Sequence, residues 1–167
     1  MKNRLRQQSG FSLVELVTVL VLLGIISAVA FSRLGNVSSF SESIFQQQVL
    51  SYLRLAQRTA VAHQGSGVQL SITRAATDDW DVSLQFASQT LTYELEGDHT
   101  FLFTSGASSG NLSTGDTLSL RYSDDGDLVQ LTSPVVAAIT ASLSLVVAGD
   151  RLTCVSPTGF AYEGSCL

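Results

Sequence analysis

Residues 11–31 read FSLVELVTVLVLLGIISAVAF, a run of 21 residues in which Glu15 is the single charged side chain. The ten residues before this run carry Lys2, Arg4 and Arg6 and no acid, and the chain after it becomes polar. As a helix with a rise of about 1.5 Å per residue, the run spans roughly 30 Å, the thickness of one hydrocarbon core. The basic flank predicts that the N-terminus stays in the cytoplasm and that the remainder is translocated.

Three interpretations account for this apolar segment. A secretory signal peptide has a shorter apolar region and a small-x-small cleavage site, for which 28–30 (AVA) is a weak match. An ordinary single-span anchor leaves Glu15 unexplained, because a carboxylate inside an apolar helix costs about 2.5 kcal/mol or more. The third interpretation accounts for Glu15, and it is based on the sequence pattern of residues 9–16.

Residues 9–16, SGFSLVEL, resemble the prepilin motif of type IV pilins and type II secretion pseudopilins. The resemblance implies that a membrane peptidase cleaves after Gly10 and that Phe11, the new N-terminal residue, is N-methylated. It also implies that Glu15 lies near the N-terminal amine of a neighbouring subunit, where opposite charges offset each other's cost of burial. Glu15 is therefore expected to set the register of a helical stack. The simpler alternative places it in the headgroup region near a helix end.

The residue types at the cleavage site suit this processing. Gly10 has no side chain, so a peptidase at the membrane face can approach the backbone closely. Cleavage leaves an α-amino group on Phe11 that is cationic near neutral pH. Loss of residues 1–10 removes three basic residues and changes the formal charge from −5 to −8 (−5 − 3), and the mature chain has no lysine.

Beyond the apolar run, apolar residues recur at steps of three and four, which predicts one long helix over about 11–63. No strong helix stop precedes 65–67 (GSG), although Gly35 and Asn36 weaken the helix locally. Much of the remaining helix surface is polar, at Gln46, Gln47, Gln48, Arg54, Gln57 and Arg58. We divide the chain into a cleaved leader at 1–10, a transmembrane and filament-core helix at 11–31, an amphipathic continuation at 32–63 and a periplasmic head at 64–167.

From residue 68 the period of the apolar residues changes to two, which predicts strands. About eight strands after one helix indicate an α+β fold with antiparallel sheet packed on the helix, as in type IV pilin-like proteins. The strand-like runs lie at 68–72, 80–86, 91–96, 99–104, 118–122, 129–131, 139–147 and 151–155. A hairpin turn is predicted at 124–127 (DDGD). We read 105–115 (SGASSGNLSTG) as a flexible connector, with an exposed interaction site as the alternative.

Two cysteines, Cys154 and Cys166, lie near the C-terminus. A translocated domain meets an oxidising compartment, so we expect a disulfide between them, which contributes about 3 kcal/mol through chain entropy. Their spacing excludes a C-x-x-C redox site, and the sequence lacks companions for a zinc site. The pair resembles the C-terminal disulfide loop of pilins, and two free thiols are the alternative.

Enzyme chemistry finds no support in the residues, so we expect neither catalysis nor a cofactor nor a metal centre. His63 and His99, the two histidines, belong to no Ser-His-Asp or H-E-x-x-H pattern. The acidic groups at 78–81 and 124–127 lack the spacing of an EF-hand and are read as solvated turns, with calcium binding as the minor alternative. A pI of about 4.8 and scattered arginines argue against nucleic acid as a partner.

The end of the chain, 143–166, with 149–151 (GDR) and 157–160 (PTGF), resembles minor pilins of the GspH/FimT type. It looks most like a minor pilin of a mannose-sensitive haemagglutinin (MSHA) pilus. Ser32 stands where major pilins often carry a helix-kinking proline, which suggests a straighter helix, as is usual among minor pilins and pseudopilins.

The resemblance implies a subunit in the inner membrane, with its N-terminus cytoplasmic and its head periplasmic, that later joins a pilus at the cell surface. Its partners would be the membrane, the prepilin peptidase and N-methyltransferase, the inner-membrane platform and assembly ATPase, and other major and minor pilins. Initiation of the filament or a position at its tip, with a part in surface attachment, is the expected role. A type II secretion pseudopilin is the first alternative, and a DNA-uptake binding subunit is the second.

Overall fold

The computed structural model describes residues 12–33, 37–133 and 135–167 of the chain, with the side chains of the N-terminal helix placed up to Ala28. The described residues form two compact units, one ending at Val37 and the other running from Ser38 to Leu167. We call the second unit the head. Gly10 and Phe11, where cleavage and methylation are expected, lie outside the described residues.

Two helices occupy the first third of the chain, α1 at Leu13–Arg33 and α2 at Val37–Ala62. Both lie within the helix predicted at 11–63, and its continuity across 34–36 falls outside the described residues. The large apolar side chains of α1 that are placed are exposed, from 47% at Val17 to 79% at Leu13. A helix that is apolar all round belongs in a lipid or helical environment rather than in water.

Helix α2 is amphipathic, and one of its faces enters the core of the head. The buried residues follow steps of three and four and comprise Phe45, Val49, Leu50, Leu53, Ala56 and Ala60. The helix stops ahead of Gly65 and Gly67, which have φ of +78° and +63°. Glycine adopts such values without the steric cost that other residues meet, so the GSG sequence ends the helix as predicted.

Eleven strands are formed by the described residues, all paired antiparallel. They are β1 Val68–Arg74, β2 Asp79–Phe86, β3 Gln89–Glu96, β4 Phe101–Ser105, β5 Ser108–Asn111, β6 Thr117–Tyr122, β7 Leu128–Thr132, β8 Val136–Ala138, β9 Leu143–Val147, β10 Arg151–Val155 and β11 Ala161–Glu163. The first sheet has the order β3-β2-β1-β6-β7-β8, and the second has the order β11-β10-β9-β4-β5. The α+β, pilin-like class predicted from the sequence is confirmed.

One hydrophobic core joins α2 to the inner faces of both sheets. Trp80 of β2 lies at its centre, fully buried, with its ring 5.6 Å from that of Phe45 on α2 and 5.7 Å from that of Phe101 on β4. The indole N–H donates to the Gly97 carbonyl oxygen at 3.1 Å, so the one polar atom of the side chain is satisfied. Side chains from all three layers therefore meet around this ring.

The reading of 105–115 as a connector is wrong over its middle. Residues 108–111 form β5, which pairs with β4, and the following Leu112 is fully buried with its N–H donating to the Phe101 carbonyl oxygen. The segment SSGN has no alternating pattern, so a period of two does not reveal it. Gly110 is needed because a Cβ there would lie 2.8 Å from the ring of Phe103.

The strand predicted at 139–147 is also wrong in its first half, and the three-residue strands β8 and β11 were missed. The chain leaves the first sheet after β8 and enters the second sheet at Leu143, so residues 139–142 cross between layers. The apolar alternation continues through this crossing because Ile139 still packs against the core. Strand β11 has three residues, too few to show a period.

Two turns from distant parts of the sequence are packed together beside α2. Gly159, between β10 and β11, has φ of +76°, and a Cβ there would lie 1.9 Å from the Gly126 carbonyl oxygen. The Leu128 N–H donates to the Pro157 carbonyl oxygen at 2.9 Å, which links the same two segments. The acidic turn at 124–127 is thus the hairpin that the sequence predicts, with Gly126 buried and its three aspartates exposed.

We expect Gly159→Ala to lower the free energy of unfolding by about 3 kcal/mol or more, because left-handed strain adds to overpacking. The matched control is Gly65→Ala, where φ is +78° and nothing lies within 4 Å of an added Cβ. It should cost only the conformational strain, about 1–2 kcal/mol. Denaturant unfolding of the full chain in detergent, followed by Trp80 fluorescence, measures both variants. Equal losses would contradict the steric argument.

Candidate functional site

The start of α1 forms a capping box around Glu15. The Ser12 N–H donates to Glu15 Oε2 at 3.2 Å, and Ser12 Oγ accepts from the Val14 N–H at 3.3 Å. Serine at the N-cap and glutamate three residues later satisfy two backbone donors that the helix itself leaves free. The S-x-x-E sequence at 12–15 is the pattern of a capping box, but these residues were interpreted above only as part of the prepilin motif.

The capping box gives Glu15 a structural partner within a single chain. Its carboxylate also lies in the first helical turn, where the helix dipole favours negative charge. Glu15 is exposed and borders a groove of about 290 Å³ lined by Leu16, Val19 and Leu20. The one acidic side chain of α1 thus lies on an apolar surface at the end nearest the expected cleavage site.

At the other end of the chain, a Cys154–Cys166 disulfide joins β10 to the segment after β11, with the two Cα atoms 5.2 Å apart. Cys154 is buried in the second sheet, and Cys166 is partly exposed. The Leu167 N–H also reaches the Tyr162 hydroxyl at 3.4 Å. The last residues are therefore held against the head.

Polar side chains of α2 bind this C-terminal segment, and we call the set the C-terminal clamp. Gln46 donates to the Leu152 carbonyl oxygen at 2.8 Å, and Arg54 donates to that of Ala161 at 3.0 Å. Gln57 donates to the Thr158 carbonyl oxygen at 2.8 Å, and Gln47 bonds the carboxylate of Glu163. The sequence places these residues on the polar part of the helix surface. Their partners lie about a hundred residues away, so helical periodicity could not reveal them.

Both histidines serve as packing residues. The ring of His99 lies 4.7 Å from that of Phe45, and the ring of His63 lies 4.9 Å from that of Phe86. Burial lowers the pKa of His99 below its usual value, while the carboxylates of Glu42 and Asp98 oppose that shift. Across the described ranges, no group of three or more His, Cys, Asp or Glu side chains is placed to hold a metal ion.

Three of the arginines in the head are engaged in internal contacts. Arg74 pairs with Asp98 at 3.0 Å and lies over the ring of Trp80, and Arg151 donates to the Ser39 carbonyl oxygen at 2.9 Å. Arg54 belongs to the C-terminal clamp. Each of these three guanidinium groups therefore has a partner within the head.

A family model described as the prokaryotic N-terminal methylation motif matches residues 5–31. Comparison with curated proteins and with solved structures finds no match. The matched motif is the prepilin signal of type IV pilin-like and pseudopilin proteins, which are structural subunits rather than catalysts. It implies processing by prepilin peptidase, anchoring of the N-terminal segment in the inner membrane and assembly with other pilins.

Over the residues that the structure describes, no helix is both long enough and apolar enough to cross a membrane.

We expect Gln46→Ala to lower the free energy of unfolding by about 1 kcal/mol, because it removes a buried amide that donates to β10, while the Leu152 carbonyl oxygen keeps the Gly164 N–H as a second donor at 2.8 Å. Gln46 is 5% exposed and also contacts Thr153 Oγ1 at 3.3 Å. Gln48→Ala, two residues along the helix and exposed, is the control and should change stability by about 0.5 kcal/mol or less. Thermal unfolding of both variants compares them, and a cost for Gln48 as large as that for Gln46 would refute the clamp.

Proposed function

We propose that the protein is a minor type IV pilin, of the kind found in MSHA pili, that initiates the filament or lies at its tip and takes part in surface attachment. The observation that carries the proposal is the methylation motif at 5–31 followed by a folded α+β head. The resemblance of 143–166 to GspH/FimT-type minor pilins supports the finer assignment.

The proposed route begins in the inner membrane, with the N-terminus cytoplasmic and the head periplasmic. Peptidase cleavage after Gly10 removes the basic leader at 1–10, and methylation follows at Phe11. The platform and the assembly ATPase then draw the helix at 11–31 out of lipid and into the filament. Lipid tails are as apolar as leucine side chains, so close packing among neighbouring helices, rather than the hydrophobic effect, stabilises the new position.

Glu15 changes partner along this route. In the single chain its carboxylate caps α1 through the Ser12 N–H. In the filament we assign it to the N-terminal amine of a neighbouring Phe11, a charged pair that is satisfied in one axial register. The capping bond is a neutral-donor hydrogen bond near the surface, so exchanging it for an ion pair costs little.

The domain bounds and the disulfide belong to the same proposal. Residues 11–31 are the membrane and filament-core helix, 32–63 continue it, and 64–167 form the head that faces the periplasm. Oxidation of Cys154 and Cys166 would take place there, and the short distance between their Cα atoms supports the pairing.

A type II secretion pseudopilin is the alternative that the same motif supports, with a short filament that acts as a piston. Ser32 in place of a kinking proline suits both classes. Neighbouring genes for a pilus or for a secretion system distinguish them. A DNA-uptake subunit is less well supported, because Arg54, Arg74 and Arg151 are engaged inside the head.

Gly10→Ala should leave unprocessed precursor in the inner membrane, because a side chain at the cleaved bond obstructs the peptidase. Gly24→Ala is the matched control: Gly24 lies within α1 with nothing within 4 Å of an added Cβ, so processing should be normal. Gel mobility together with N-terminal sequencing of the product provides the readout. Normal cleavage of the Gly10 variant would remove the assigned site.

Two substitutions at Glu15 separate its charge from its capping bond. Glu15→Val should be cleaved normally but should fail to enter filaments, because both roles are lost. Glu15→Gln keeps a capping acceptor and removes the charge. If the ion pair sets the register, the Gln variant fails like the Val variant in fractionated filaments. Wild-type incorporation of the Gln variant would show that capping, not charge, is what assembly requires.

A further inference from the structure

The first sheet begins at β3 in a long edge whose outward backbone groups are unpaired. The Gly97 N–H donates to the Asp78 carbonyl oxygen at 2.8 Å, which sets the alternation between β2 and β3. Hydrogen-bonded pairs alternate with non-hydrogen-bonded pairs in an antiparallel ladder, so the N–H and C=O groups of every second residue of β3 face away from β2. The residues whose groups face outward are Thr90, Thr92, Glu94 and Glu96. None of these groups has a hydrogen-bond partner within the part of the chain that the structure describes.

The core-facing side of β3 is incompletely covered. Leu91 lies opposite the buried Leu84 of β2 but is itself 41% exposed, whereas Leu95 near the end of the strand is buried. Tyr93, between the two leucines, packs against the ring of Tyr52 on α2 at 4.8 Å. Apolar surface that stays in contact with water is unfavourable. A strand added beyond β3 would cover the exposed part of Leu91.

The solvent-facing side of the same edge carries two cross-strand pairs of like charge. Glu94 lies opposite Asp81, and Glu96 lies opposite Asp79. Both are non-hydrogen-bonded pairs, in which the Cα atoms are about 4.5 Å apart and the side chains come closest. Like charges directly opposite one another are destabilising, so the isolated head carries an electrostatic cost at this edge. A cationic side chain placed beside these carboxylates would reduce that cost.

A groove of about 530 Å³ runs beside this edge, and every charged side chain that lines it is acidic. Its lining residues are Asp78, Asp79, Glu94, Glu96 and Gly97. Arg74 of β1 lies opposite Trp80 in the neighbouring strand, but its side chain is only 15% exposed and is paired with Asp98 at 3.0 Å. Its guanidinium group also donates to the Thr77 carbonyl oxygen at 2.8 Å. The charge of this arginine is therefore already partnered, and the groove stays negative.

The edges of a second copy of this chain do not match the β3 edge. The edge strands that the described residues form are β3, β5, β8 and β11. Their sequences are QTLTYELE, SSGN, VAA and AYE, which contain no lysine or arginine. Two β3 edges brought together would also place carboxylates beside carboxylates. The complementary strand therefore belongs to a different protein.

We propose that the β3 edge accepts an extended strand of a different filament subunit, one in which basic and apolar side chains alternate. This inference rests on the proposed function, which places the head among other pilins. The added strand lies about 4.8 Å beyond β3 and pairs with its outward backbone groups. Its basic side chains lie beside Glu94 and Glu96, and its apolar side chains cover Leu91. Backbone pairing supplies the affinity, and the carboxylates select the partner.

The test uses the full chain in an uncharged detergent and, as the probe, a labelled peptide in which lysine and valine alternate over the eight residues that match β3 in length. A matched peptide carries glutamate in place of lysine. Fluorescence anisotropy measures affinity, and residue-resolved hydrogen exchange measures protection of the outward N–H groups of Thr90 and Thr92. The lysine peptide should bind and protect these groups, and the glutamate peptide should bind about ten-fold more weakly. Added salt should reduce this difference.

Variants of the head separate the charges from the backbone edge. Glu94→Gln combined with Glu96→Gln should remove most of the preference between the two peptides. Asp124→Asn combined with Asp125→Asn removes two exposed charges from the acidic turn and should leave the preference unchanged. Thr92→Pro removes one outward N–H and no hydrogen bond between β2 and β3, so the lysine peptide should bind about five-fold more weakly. Because the proline also risks local misfolding, the glutamine variant is the deciding measurement.

Three outcomes would overturn the proposal. Equal binding of both peptides would remove the charge selection, and binding without protection of the outward N–H groups would place the contact elsewhere. Failure of the lysine peptide to bind would leave the carboxylates as protection of a free edge, and the glutamine variant would then self-associate. Cleavage after Gly10 depends on none of these contacts, so processing of the same variants tests the proposed function separately.

Discussion

The head is held together by the burial of one face of α2 against two antiparallel sheets. Val49 and Leu53 are fully buried, and the ring contact between Phe45 and Trp80 joins the helix to the first sheet. The second sheet closes over the same core from β4 and β9. The apolar inner faces of both sheets are buried in the core that α2 completes. This burial offsets the loss of conformational entropy on folding.

The polar side of α2 also contacts the head. Gln46, Arg54 and Gln57 donate to backbone carbonyls of the C-terminal segment, so the helix also covers the β11 edge of the second sheet. A covered edge cannot recruit a foreign strand. The β8 edge of the first sheet has no comparable cover among the described residues.

Helix α1 follows a different constraint. Exposure of its apolar surface to water is unfavourable. Transfer of the Glu15 carboxylate into lipid without a partner would also cost free energy. The capping box supplies a partner in the single chain, and a neighbouring amine supplies one in the proposed filament. Under this proposal, a single side chain serves the start of the helix before assembly and the register afterwards.

The α+β class, the two helical segments and most strands of the first sheet were predictable from sequence, because burial on one face imposes a local period that residues 45–60 and 68–86 display. The strands that escaped were short or lacked a period. β5 consists of SSGN, and β8 and β11 have three residues each. In each case the neighbouring strand, rather than the local sequence, selects the conformation.

The sequence by itself determined where the methylation motif lies and which face of α2 is apolar, since both depend on residues close together along the chain. Only the tertiary structure decided which polar side chains of α2 are buried and which backbone groups they bind. Gln46 and Gln48 differ by two positions and are chemically identical, yet one is buried against Leu152 and the other is exposed. The capping bond of Glu15 is local and was readable at 12–15, whereas the clamp partners and the open β8 edge depend on how distant strands are ordered in the sheets. Which strands pair with one another is decided by contacts between distant residues, and that choice leaves no local period in the sequence.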